Sequence, residues 1–132
     1  MTHWVRFERG GATGFGMLDG DVIVVHDGDM FSGATPTGET CGLSDVVLLV
    51  PCVPTKMVAL WNNSRSAAEK QGQSQPEYPL YFIKAPNSFL APGGTIRKPA
   101  GYEARVIYEA ELGIVIGKPC KEVGEAEAAR HI

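Results

Sequence analysis

Thr13-Gly14-Phe15-Gly16-Met17-Leu18-Asp19-Gly20-Asp21-Val22-Ile23-Val24-Val25-His26 is the stretch that decides the fold. Two runs with β-branched, aromatic and other apolar residues flank Asp19-Gly20, a dipeptide suited to the positive φ of a two-residue hairpin turn. Working outward, Trp4 to Glu8 forms a preceding strand closed by a Gly10-Gly11 turn, and Asp27-Gly28-Asp29 marks a turn after His26. The first third therefore reads as a β-meander, with Trp4, Phe7, Phe15 and Phe31 expected to form its small core. Gly14-Phe15-Gly16 is not a phosphate loop, because no Lys-Ser/Thr follows and no helix opens there. These glycines are expected as strand or turn residues.

Residues 32–45 are rich in Gly, Thr, Ser and Pro, which predicts a loop, and the apolar run from Val46 leads into Pro51 and Pro54. A boundary follows, giving an N-terminal domain over 1–54 and a second over 55–132. In the second, a strand is expected at Met57 to Leu60 and a polar loop at Trp61 to Ser64. A helix follows from about Arg65 to Gln71, stopped by Gly72, and a compact strand runs from Leu80 to Lys84. The fold class is α/β and β-rich. A last helix starts at Glu125 with acids in its first turn, but the chain stops without a C-cap. That ending predicts a shortened product, with part of any site outside it.

At 132 residues and 44% hydrophobic content the chain is long enough to bury one real core without disulfides or a structural metal. A formal charge of −3 with scattered Lys and Arg gives no basic stripe for a phosphate backbone, so nucleic acid is excluded as an expected partner. Cys41, Cys52 and Cys120 are odd in number and lack Cys-x-x-Cys spacing, which argues against a disulfide framework or a thiolate zinc site. They are read as packing residues in a reducing cytoplasm. The amino terminus has no signal-peptide pattern, and Val46 to Val53, broken by Pro51, is too short for a membrane span. His3, His26 and His131 are scattered and make no ligand cluster by spacing.

The chemistry is expected at Glu109 and Glu111, within Val106-Ile107-Tyr108-Glu109-Ala110-Glu111-Leu112-Gly113-Ile114-Val115-Ile116. This run reads as a strand, so both acids face one side, about 7 Å apart. Two carboxylates so held repel unless they are solvated or share a cation, and hard dications favour oxygen ligands. The alternative is the wet face of a half-exposed strand, with Tyr108, Ala110, Leu112 and Ile114 on the core side.

Taken together, Trp61-Asn62-Asn63, Ser66-Ala67-Ala68-Glu69, Tyr81-Phe82-Ile83-Lys84-Ala85-Pro86-Asn87-Ser88, Tyr108-Glu109-Ala110-Glu111-Leu112 and Val115-Ile116-Gly117-Lys118 resemble the fumarylacetoacetate hydrolase family. The resemblance spans roughly residues 56 to 132, while residues 1 to 53 look like the variable small N-terminal domain such proteins often carry. It implies a mixed, β-rich α/β fold, a homodimer, and a dication held by Glu109, Glu111 and a later aspartate for which this chain has no counterpart. Mg²⁺ or Mn²⁺ is the implied metal, with Ca²⁺ as a further option.

Many members also have an Asn-Tyr-x-x-His-x-x-Glu pattern in which His and Glu activate water. Here Ser66 stands in the histidine's place, and a hydroxyl is a poor base without a partner. Glu69 remains as the implied acid/base residue, although Ser66-x-x-Glu69 also reads as a capping box. Lys84, ending an apolar run, is expected to meet a substrate carboxylate, the alternative being a lysine reaching solvent. Asn62 is expected to orient substrate or to close a loop. The implied substrate is a small 2-oxo acid or 1,3-dicarbonyl compound undergoing C–C cleavage, decarboxylation or keto–enol isomerisation. The competing expectation is a non-catalytic fragment or binding module that lacks the third ligand.

Overall fold

The structure is a computed structural model that describes residues 3–132. Four strands, β1 (His3–Arg9), β2 (Ala12–Asp19), β3 (Val22–Asp29) and β4 (Gly33–Gly42), follow one another antiparallel, and a two-residue β5 (Val47–Leu48) returns beside β1. The sheet order is β4-β3-β2-β1-β5. Asp19 and Val22 are paired across the Asp-Gly turn, as the hairpin signal requires.

Strand parity explains the core. Val5 pairs with Gly16 and Gly16 with Val25, while Leu18 pairs with Ile23 and Ile23 with Cys41. These rows put Phe7, Ile23 and Cys41 on one face, where Val5, Leu18, Val25, Leu43, Val46 and Leu48 pack against them. Trp4 and Phe15 lie on the other face, because Trp4 is three residues from Phe7 and side chains alternate. There Trp4 and His26 form a T-shaped pair, 4.9 Å between ring centroids, and Phe15 lies 5.9 Å from Trp4. His26 is only 5% exposed, and its Nδ1 lies 2.8 Å from the Val24 carbonyl. Phe31 belongs to neither cluster. It is exposed in the turn after β3, where its backbone N–H and that of Ser32 donate to the Asp29 carboxylate.

Two further expectations are corrected. Residues 33–42 are a strand rather than a loop, since β4 lies at the sheet edge, where Pro36 need not donate a ladder hydrogen bond. The turn consequently falls at residues 30–32, with Gly28 (φ +93°) still inside β3. Cys120 is exposed rather than packed, whereas Cys41 is buried.

The linker is pinned to the meander. Leu49 N–H donates to the Arg6 carbonyl at 2.8 Å, and the Arg6 guanidinium donates to the Val50 carbonyl at 2.7 Å. Beyond it, β6 (Met57–Trp61) pairs antiparallel with β7 (Leu80–Lys84) in a separate two-stranded sheet, and α1 (Arg65–Lys70) lies in the connection between them. The chain finishes with the one-turn α2 (Glu125–Ala128) and a 3₁₀ turn over Ala129–His131, whose last carbonyl accepts from the Gly117 N–H. Among the described residues no helix is long and apolar enough to cross a membrane.

The largest departure is Val106 to Ile116, which is not a strand. Its composition suits a strand, yet a strand is a paired state, and no described strand is hydrogen-bonded to this run. Its apolar side chains are left in solvent, with Tyr108 94% and Leu112 89% exposed. Neither side of the run faces a core, so the expected division into a wet face and a packed face is absent.

Candidate functional site

Lys84 is the last residue of β7 and pairs with Met57 of β6, so its backbone is held by the ladder. Its Nζ lies 5.8 Å from the centre of the Phe82 ring, two residues earlier and therefore on the same side of the strand. The same ammonium sits 3.4 Å from Glu111 Oε2. This contact joins a strand end to an unpaired segment 27 residues later and brings two of the expected site residues together.

Glu109 is exposed and has no ion-pair partner among the described residues. With no strand at 106–116, alternation no longer obliges the two acids to share a face. Donor chemistry is the remaining test of a metal. Two exposed carboxylates offer the hard oxygens that Mg²⁺ favours, and Mg²⁺ is commonly held by one or two carboxylates with water or substrate completing its shell. Glu111 already draws a cationic group to it. The donor chemistry of each acid suits an open dication site and not a closed cage, since no cluster of three His, Cys, Asp or Glu side chains that could hold a metal occurs among the described residues.

Asn62 adopts a left-handed backbone (φ +53°), which Asn tolerates better than most residues, and its Nδ2 donates to the Ser74 carbonyl at 2.9 Å. It thereby ties the loop before α1 to the loop after it. Asn62, with Trp61, Asn63, Gln75 and Glu77, lines a shallow cleft of about 180 Å³. Of the expected residues only Asn62 lines that cleft, and only Lys84 and Glu111 are in contact with each other.

Glu69 is exposed on α1. The helix is capped by Ser64, whose extended backbone precedes Arg65 and whose hydroxyl accepts from the Ala67 N–H at 3.4 Å. Ser66 lies inside the helix, so Ser66 and Glu69 do not form the expected capping box, and Glu69 is left free of a capping role. Ser64 was missed because Ser66 has an acid three residues on and Ser64 does not. The Lys84–Glu111 contact had no sequence signal beyond the lysine's place at the end of an apolar run.

Residues 56–132 match the fumarylacetoacetate (FAA) hydrolase C-terminal family, and residues 2–51 match the Rv2993c-like, N-terminal family. The protein Rv2993c of Mycobacterium tuberculosis (strain ATCC 25618 / H37Rv) is 36% identical over 102 residues, covering 77% of this chain and 38% of its own. A 4-hydroxyphenylacetate degradation bifunctional isomerase/decarboxylase of Salmonella dublin is 41% identical over 76 residues, 58% of this chain and 18% of that protein. A solved structure from Mycobacterium abscessus superposes with a TM-score of 0.74 at 30% identity, covering 99% of this chain and 51% of that one. The chain thus spans well under half the length of these curated relatives and about half of the solved chain.

Proposed function

Since the chain belongs to the fumarylacetoacetate hydrolase family, we propose that it serves the keto–enol isomerisation or decarboxylation of a small 2-oxo acid or 1,3-dicarbonyl compound. The observation that supports this reading is the Lys84–Glu111 contact, an ammonium beside a hard-oxygen donor. The Salmonella relative's name, isomerase/decarboxylase, supports the reaction class. Ser66 tilts the choice away from hydrolysis, because no imidazole stands there to activate water.

Glu109 and Glu111 would hold Mg²⁺ or Mn²⁺. The bound dication would supply Lewis-acid polarisation of the substrate carbonyl. The chain's own residues do the rest. Lys84 attracts the substrate carboxylate and orients it. Glu69 takes the proton from the carbon beside the carbonyl in isomerisation, and its conjugate acid returns that proton to the enolate oxygen. Asn62 fixes the loop from which α1 presents Glu69. A cytoplasmic homodimer is the setting proposed for this activity.

The test follows the enol form of a 2-oxo dicarboxylic acid by its ultraviolet absorbance, and released CO₂ in parallel, with the full chain and added Mg²⁺. The reading predicts acceleration over buffer that a chelator removes. A rate equal to buffer, with and without the cation, would contradict it.

A second reading, a non-catalytic binding module, is favoured by one observation. The apolar side chains of 106–116 lie open to solvent, as at a surface that awaits a partner. The same assay separates the two.

A further inference from the structure

We infer that Lys84 is the resident counter-ion of Glu111: its ammonium holds that carboxylate until a divalent cation takes it, and is then released to meet the carboxylate of an oxo-acid substrate. This rests on the metal reading of the glutamate pair above.

Three observations carry it. The first is anchoring: Lys84 belongs to a paired strand with Phe82 beside its ammonium, whereas Glu111 belongs to a run with no strand partner. The carboxylate is the member free to turn. The second is exposure. Lys84 and Glu111 side chains are 34% and 54% accessible, and ion pairs of that kind are weak enough to exchange. The third is charge balance. One ammonium neutralises one acid, leaving Glu109 without a cationic partner among the described residues, whereas a single dication balances both. Exchange for a dication that both acids reach would balance the charge, and the displaced ammonium would stay close by because its backbone is paired with Met57.

The experiment titrates Mn²⁺ alone into the full chain, following free Mn²⁺ by electron paramagnetic resonance, for the wild type, Lys84→Met and Lys84→Arg. Lys84→Met is expected to bind roughly two- to fivefold more tightly, the scale of a partly exposed ion pair, and Lys84→Arg to stay near wild type. In wild-type protein, acylation of the Lys84 amine, mapped by mass spectrometry, is expected to rise when Mn²⁺ is added. That second readout needs no variant to fold. Equal or weaker affinity in Lys84→Met, or acylation indifferent to Mn²⁺, would overturn the exchange while leaving the glutamate pair as a metal site. Absence of Mn²⁺ binding in all three proteins would overturn both.

Discussion

The ring of Phe7 occupies the space that a side chain on Gly14 would need: a Cβ built there would lie 2.9 Å from the ring's outermost carbon. Phe7 and Gly14 are cross-strand partners, and Gly16, two residues on, is more crowded still, its hypothetical Cβ running into the Val24 carbonyl oxygen. Gly14-Phe15-Gly16 is thus a packing device of the meander. Gly16→Ala is expected to destabilise by about 1–3 kcal/mol, since backbone must move, and Gly14→Ala by less, since only a ring must. Urea unfolding of the two variants, compared by midpoint, checks the order.

Ile23 is the largest fully buried side chain of the described residues. Its truncation to Ala is expected to cost about 2–5 kcal/mol through lost burial and the cavity left behind. The same unfolding measurement, read through far-ultraviolet circular dichroism, should show the loss. A cost below about 1 kcal/mol would mean that this sheet face is not the core.

Ser64 and Ser66 make opposite predictions for α1. Ser64→Ala should weaken the helix by about 0.5–1 kcal/mol, at the low end for an N-cap because its hydrogen bond is long, and Ser66→Ala should have a smaller effect. Amide hydrogen exchange at Ala67 and Ala68 reports this directly. Faster exchange in Ser66→Ala than in Ser64→Ala would restore the capping-box assignment.

Leu112→Asp and Tyr108→Ser replace nearly fully exposed apolar side chains by polar ones. Both are expected to reduce concentration-dependent self-association without lowering the unfolding midpoint, because neither side chain packs in the described fold. Light scattering over a dilution series measures the first effect. A lowered midpoint would show that 106–116 is packed after all.

These predictions also mark how far local chemistry can be read. The hairpin at Asp19-Gly20, the helix ending before Gly72, the strand Leu80–Lys84 and the strand from Met57, which runs one residue beyond the expected Leu60, are legible because turn and cap residues act over a few positions. Strand β4 was not, because its Gly, Thr and Pro content is loop-like and its extended state depends on pairing with β3. Val106 to Ile116 failed in the opposite direction. Its propensity favours a strand, but propensity without a hydrogen-bonded neighbour does not make one. The aromatic core was half legible: Phe7 lies in it, while parity puts Trp4 and Phe15 on the opposite face and the turn exposes Phe31.

Of the candidate site, residue types were legible and spatial relations were not. In the sequence Glu111 stands out through its neighbour Glu109, yet its contact in the fold is Lys84, which no spacing rule connects to it. Asn62, expected near substrate or closing a loop, donates to Ser74 across the base of α1.

The account rests on Glu109 and Glu111 as oxygen donors for one dication. Calorimetric titration of Mg²⁺ into the full chain and into the double variant Glu109→Gln, Glu111→Gln tests this most directly. The account predicts one ion bound per chain in the wild type and its loss in the double variant. Equal stoichiometry and affinity in the two proteins would contradict it.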